Sequence, residues 1–386
     1  MSLHPHETPP VPEETRCVAQ ASFPRGNVYM RLRDEFGAIY EDQLFAPLFP
    51  ARGQPAASPW RLALATVMQF AEGLSDRQAA DAVRSRIDWK YALSLELTDP
   101  GFDHTVLSEF RTRLVAGQAE LLLLDSFLAR VRERRLLKTR GRQRTDSTHV
   151  LAAIRVLNRL ELVGETLRHA LNSLALVAPD WRRAQAPAEW CERDGRRLEN
   201  YRLPQTAAAR EALAATIATD GRQLLQAVEA APDQPWLRDL PAVQTLRQVW
   251  AEQYTEPPGP LRWRAVQERL PAAVLIASPY DVEARYCTTR GITWVGYKVH
   301  LTETCEDDQP HLITGVMTTP ATTPDCVMGP CIEDDLATRD LLPGIHLLDG
   351  GYVDADLLVT AQATHQIDVV GPPFGSYSHQ RRAGEG

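Results

Sequence analysis

The chain is poor in the residues that would commit it to a stapled, secreted or membrane-spanning class. Its 386 residues hold six cysteines, at positions 17, 191, 287, 305, 326 and 331. These are too few and too scattered for a disulfide framework. Cys326 and Cys331, taken with His300 or His311, do not have the ligand spacing of a structural zinc site. Aromatic residues make up only 7% of the chain. No apolar run reaches the ~18 residues a spanning helix needs. The opening MSLHPHETPPVPEE has no basic stretch followed by an apolar one, so no secretory signal is expected. The expectation these absences leave is a soluble cytoplasmic protein with no membrane contact.

What is present points to more than one domain, because domains average ~150 residues and a chain this long can bury a full core. The low aromatic content and 28 prolines suggest a helix-rich body with interruptions. Net charge is −8, which by itself argues against nucleic acid, but the charge is unevenly spread. Residues 301–386 carry only Arg339, Arg381 and Arg382 against 14 acidic residues. Residues 130–144 hold Arg130, Arg132, Arg134, Arg135, Lys138, Arg140, Arg142 and Arg144 against Glu133 alone. Such a run suits phosphate contact, the plainer alternative being a solvated helix end, where cations meet the helix dipole.

Residues 1–26, with four prolines in the first twelve, read as a mobile arm. Residues 27–137 are helical in pattern. Ser58 and Pro59 open one helix and Gly73 ends it. Ser75 and Gln78 form a capping box for a second helix, at 76–86. Asp103 caps a third, with Leu107, Phe110 and Leu114 on one face and Ser108 and Arg111 on another. Three short helices with tight joints fit a helix-turn-helix module or a plain three-helix bundle. The helical pattern continues over 119–137. TDSTHVLAAI then reads as β. Residues 152–255 return to helix, with Pro-bearing breaks at 178–188 and 232–241, and EPPGP at 256–260 is a further punctuation mark. After 290 the period becomes two: Val295, Tyr297, Val299 and Leu301 alternate with Gly296, Lys298, His300 and Thr302. A second strand near 311–318, a helix at 326–341, a strand at 345–349, a helix at 354–364 and a strand at 367–371 follow. This order predicts a mixed α/β sheet with helices on both faces.

Two aspartates stand where strands end or bend. Asp146 lies in the β-type TDST, and Asp349 ends IHLLD before Gly-Gly-Tyr. Two carboxylates on adjacent strands suit a hard divalent cation, which prefers oxygen ligands. Two such ions stabilise the attacking and leaving oxygens of a phosphoryl transfer. Spacing alone leaves the alternative open that both aspartates simply cap turns.

The motifs TDSTHV, GYKVH and LLDGGY resemble DDE-class transposases of bacterial insertion sequences. So do LSDRQAADAVRSRIDWKYALSLELTDPGFDHTVLSEFRTRL and SPYDVEARYCTTRGITWVGYKVHLTETC. The resemblance implies a helical N-terminal DNA-binding-type transposase domain at 27–137. It implies a ribonuclease H-like domain at 138–386, with the helical insertion at about 152–275. Asp146 and Asp349 match the family's first two catalytic, metal-binding aspartates, and Mg²⁺ or Mn²⁺, two ions in a complete site, would be the cofactor. DNA would be the partner, through Arg111, Arg140, Arg142, Arg144 and Lys298. A homodimer on DNA and a place in the bacterial cytoplasm, at the nucleoid, are also implied. Ser147, Thr148 and Tyr352 would orient the aspartates.

The family's third carboxylate, a glutamate on a later helix, has no match. Asp354 and Asp356 come too early, Asp368 is in the next strand and Glu385 is next to the last residue. The expectation is a catalytic domain incomplete at its C-terminus. Three functions stay open: an insertion-sequence transposase that cleaves and joins DNA with a metal, an inactive remnant that only binds DNA, and a ribonuclease H-like nuclease without strand transfer.

Overall fold

Cap chemistry sets the helices of the first third. The structure is a computed structural model and describes residues 2–185, 190, 197–255, 261–289 and 291–372. The Ser75 side chain takes the Gln78 N–H while Gln78 reaches back to the Ser75 N–H, opening the helix Asp76–Ser85. Gly73, left-handed at φ 65°, ends the helix Pro59–Glu72. Ser58 does not cap that helix. Its hydroxyl donates to Asp42 at 2.8 Å, and Asp42 takes the Trp60 N–H at 3.2 Å. A buried carboxylate brought in from outside thus satisfies the first turn and meets the positive end of the helix dipole. Asp103 takes the Thr105 N–H at 2.9 Å at the start of Thr105–Ala116, and Leu107, Phe110 and Leu114 are buried there. The next helix is Leu122–Glu133, shorter than its apolar pattern suggested.

The expected mobile arm is instead packed. Glu13–Ser22 is a helix, and Thr15, fully buried, donates to the Leu95 carbonyl at 2.7 Å. Ala19, on the same face four residues on, sits among Met30 and Tyr91. Pro12 is the residue before this helix and Pro24 lies beyond its end, so neither interrupts its hydrogen bonds.

The chain divides into two compact units. One is Met1–Gly141 with Thr304–Thr314 and Arg339–Pro343; the other is Arg142–Glu303 with Gly315–Thr338 and Gly344–Gly386. The first is helical, with a core that includes Trp60, Met68, Trp89, Leu107 and Phe110.

The second unit is mixed α/β. Its strands are β1 (Arg142–Leu151), the short pair β2 (Tyr254–Thr255) and β3 (Arg262–Trp263), β4 (Arg285–Thr289), β5 (Ile292–Thr304), β6 (Ile313–Pro320), β7 (Ile345–Leu348) and β8 (Asp368–Val370). The main sheet has the order β4-β5-β1-β7-β8, and β6 also pairs with β5. β1, β7 and β8 are parallel. β5 runs against β1, since Ala152 N–H reaches Val295 O while Thr145 meets Thr302. β4, which pairs antiparallel with the start of β5, was not foreseen. Its RYCTT has only five residues and shows little alternation.

Between β1 and β4 lie the helices Arg159–Val177, Pro179–Gln185, Ala207–Glu229 and Pro241–Gln253. They occupy the stretch read as an insertion and have their own core, which includes Leu167, Leu174, Ile217, Leu246 and Trp250. Gly221 allows that packing: a Cβ there would stand 2.1 Å from the Trp250 ring. The segment 256–260 lies outside the described residues, as do Arg381, Arg382 and Glu385.

Candidate active site

Parallel pairing brings the two aspartates together. Thr145 on β1 is the register partner of Leu348 on β7, so the next residues, Asp146 within β1 and Asp349 just past the end of β7, stand at the same level on neighbouring strands. Both line one polar hollow of about 300 Å³, together with Ser147, Thr148, His149, Trp294, Lys298 and Asp325. Asp146 is exposed and takes the Ser147 N–H at 2.7 Å. Asp349 is half-buried and takes the Gly351 N–H at 2.8 Å. A Cβ at Gly351 would crowd both carboxylates, standing 3.0 Å from Asp349 Oδ1 and 3.3 Å from Asp325 Oδ2.

Tyr352 ties this turn to the sheet. It is fully buried, its hydroxyl is bonded to the Ser147 side chain, and it lies 2.5 Å from His300 Nδ1. Burial pushes the Tyr352 phenol well above its ordinary value and the His300 imidazole below its own, so both are neutral. Tyr352 then accepts from Ser147 and donates to His300 Nδ1, and His300 Nε2–H donates to Thr319, 3.1 Å away.

A second buried chain lies behind the aspartates. Glu333 meets His346 Nδ1 at 3.3 Å, His346 Nε2 meets Thr145 Oγ1 at 2.8 Å, and Thr145 meets Thr302 Oγ1 at 2.7 Å. All four residues are buried. They join β7, β1 and β5 one residue before Asp146 and three before Asp349. In a low-dielectric interior such a satisfied network is stiff and specific. Sequence reasoning missed it, because threonines and histidines on strands look like solvated positions.

Lys298, on β5, reaches into the hollow. Its ammonium donates to the Thr323 carbonyl at 2.7 Å and to Asp325 Oδ1 at 2.9 Å. Asp325, the first residue of the helix Asp325–Thr338, was also missed. The available signal was an acid directly after Pro324 at a helix start, which ordinarily means a helix-end charge only.

The other basic residues singled out are held in ion pairs or turns. Arg111 pairs with Asp76 at 2.7 Å, inside the helical unit. Arg140 sits in the turn before β1 with φ 57°. Arg142 is half-buried at the start of β1. Arg144 pairs with Glu303 at 2.5 Å. Earlier in the basic run, Arg130 pairs with Glu41, Arg132 with Asp340 and Lys138 with Asp308. Acids of the C-terminal third therefore neutralise much of a run that looks uncompensated in the sequence.

The donor chemistry at Asp146 and Asp349 fits a hard divalent cation, which two carboxylates and water would hold. Among the described residues no group of three or more His, Cys, Asp or Glu is arranged to hold a metal ion. Asp354 caps the helix Ala355–Thr360 through the Leu357 N–H, and Asp356 and Asp368 are exposed. No helix among the described residues is long and apolar enough to cross a membrane.

Residues 18–113 match the model of a transposase domain family, DUF772, which supports a transposase. The match covers about a quarter of the chain. Neither a comparison with curated proteins nor one with solved structures finds a match.

Proposed function

We propose that this chain is a DDE-class transposase of a bacterial insertion sequence, carrying out metal-dependent cleavage and strand transfer at the element's ends. The observation that carries the reading is the hollow shared by Asp146 and Asp349, which come together across more than 200 residues of intervening sequence. Two further features support it. The transposase domain match precedes this hollow in the chain. The sheet, with β1, β7 and β8 parallel and β5 antiparallel beside β1, suits a ribonuclease H-like domain.

In this reading Asp146 and Asp349 hold Mg²⁺ or Mn²⁺. The bound metal supplies charge neutralisation at the phosphodiester and makes water and the freed 3′-hydroxyl better nucleophiles. The protein's own residues do the rest. The Ser147 and Gly351 N–H groups orient the two carboxylates. Tyr352 holds the turn after β7 against β5. Lys298 takes an oxygen of the phosphodiester. DNA, bound as a homodimer, is the partner, and the exposed arginines of 130–144 contact its backbone once their ion pairs give way.

The test is Mn²⁺ binding to the full chain, followed by nicking of a supercoiled plasmid. Asp146→Asn and Asp349→Asn should each weaken Mn²⁺ at least about tenfold and abolish nicking. Mn²⁺ binding unaffected by either variant would overturn the reading. A binding-only protein is the second reading, favoured by the lack of a third metal-directed group among the described residues. Salt-sensitive DNA binding without Asp146-dependent nicking would establish it.

A further inference from the structure

Lys298 raises a question the metal reading does not answer. It shares a hollow with three carboxylates, Asp146, Asp349 and Asp325, and it is bonded to Asp325. An ammonium on a flexible stem, close to two metal-binding aspartates, would compete with the cation for them unless something held it away. Two of its three donors are committed, to the Thr323 carbonyl and to Asp325 Oδ1. Both acceptors come from the segment that leads from β6 into the helix Asp325–Thr338, and the lysine comes from β5. The lysine and aspartate side chains are 15% and 22% exposed, so the pair is more shielded than a surface ion pair. The second oxygen of Asp325 lies 3.3 Å from the space over Gly351, on the side of Asp349.

We propose that Asp325 is a positioning residue that holds the Lys298 ammonium in the hollow beside the aspartates, with one donor left for a non-bridging phosphodiester oxygen. This rests on the transposase reading for the identity of the phosphodiester. The holding itself does not. Asp325 is assigned to the lysine because its Oδ1 accepts from the ammonium, whereas Asp146 and Asp349 accept from backbone N–H groups. The work it does is twofold: it keeps Lys298 from pairing with Asp146 or Asp349, and it fixes where the positive charge meets the DNA.

The experiment labels the full chain with an amine reagent and follows Lys298 by peptide mass spectrometry, with and without a short DNA duplex of arbitrary sequence. Asp325→Ala should speed Lys298 labelling about twofold to fivefold, the worth of an ion pair of this exposure. Asp325→Asn, which keeps the shape of the helix start, should give a smaller rise in the same direction, and Asp325→Glu should restore slow labelling. DNA should protect Lys298 in the parent and less so in Asp325→Ala. Mn²⁺ affinity should stay within about twofold of the parent in Asp325→Asn, and plasmid nicking should fall about tenfold to a hundredfold, mainly in the maximal rate.

Unchanged labelling in both Asp325→Ala and Asp325→Asn would overturn the proposal. So would a lack of DNA protection, or a loss of Mn²⁺ as large as that of Asp146→Asn, which would make Asp325 a metal ligand. A parent protein with no Asp146-dependent Mn²⁺ binding or nicking would sink the transposase chemistry instead, and the labelling would still decide whether Asp325 holds Lys298.

Discussion

Several buried polar side chains of the helical regions reach out to backbone groups, whereas the two buried runs behind the aspartates of the sheet bind side chain to side chain. Asp42 takes the Trp60 N–H, Thr15 donates to the Leu95 carbonyl, and Lys90 donates to the carbonyls of Glu96 and Asp99. In the region between β1 and β4, Glu165 takes the Leu198 N–H and Glu252 the Ile276 N–H. Each closes a helix end or a loop whose backbone groups would otherwise be orphaned. Behind Asp146 and Asp349 the pattern changes. Glu333, His346, Thr145 and Thr302 run side chain to side chain, as do Ser147, Tyr352, His300 and Thr319. Backbone-directed groups each satisfy one helix end or one loop. Side-chain chains fix strands against strands, which is what two carboxylates from distant segments need if they are to stay aligned.

This contrast is open to attack at several points. The heaviest blow should fall at Gly296, on β5. Its φ is 153°, and a Cβ there would stand 2.1 Å from the Val150 carbonyl oxygen and 2.6 Å from the Ala152 nitrogen. Both neighbours are backbone and cannot step aside. Gly296→Ala should cost about 3–5 kcal/mol. Hydrogen exchange should show protection lost in β1 and β5 and kept around Trp60 and Leu107. Equal loss in both places would erase the distinction between the regions.

Glu333→Ala comes next. It strips the buried His346 of its acidic partner and should cost about 2–4 kcal/mol in a denaturant titration. A double-mutant cycle of Glu333→Ala with Thr145→Val should show a coupling of about 0.5–3 kcal/mol, because the two are linked through His346. Strict additivity would mean that the chain is only a set of separate pairs.

Asp42→Ala tests the backbone-directed kind. It removes the cap of Pro59–Glu72 and should cost about 1–2 kcal/mol. It should show no coupling to Glu333→Ala in the same titrations.

The smallest effect depends on pH. Burial raises the Glu252 carboxyl above its ordinary value. The native state therefore keeps this proton to higher pH than the unfolded chain does. The favourable contribution is present below the ordinary value of 4.5 and is lost as pH rises through the raised one. Glu252→Gln keeps an acceptor for Ile276 and removes that loss. Thermal melts should show the variant gaining on the parent as pH rises from that value toward neutrality. A constant difference between the two would mean that Glu252 does not titrate differently on folding.

Much of the local structure was legible. The Ser75–Gln78 capping box, the Gly73 stop and the buried stripe Leu107, Phe110, Leu114 all depend on residues within a few positions of one another, and all are present in the structure. The strands around Lys298 and before Asp349 were visible for the same reason. Misreadings arose where a distant group replaced a local one. Ser58 looked like a cap because nothing nearby announced Asp42. Residues 1–26 looked mobile because proline content hid the small buried face of Thr15 and Ala19. The basic run looked uncompensated because Glu303, Asp308 and Asp340 lie more than 150 residues further along.

The sequence by itself determined most of the helices and strands, though not β4 or the helix Glu13–Ser22, and marked Asp146 within a β-type segment and Asp349 at a strand end. Periodicity, capping and turn chemistry act over one or two turns of chain, so they are written in short stretches. Only the tertiary structure decided that β1 pairs with β7 in the register that sets Thr145 beside Leu348. It alone brought Asp325 to Lys298 and buried His346 between Glu333 and Thr145. Those contacts depend on strand register and sheet order, which follow from the burial of whole faces and not from any local run of residues.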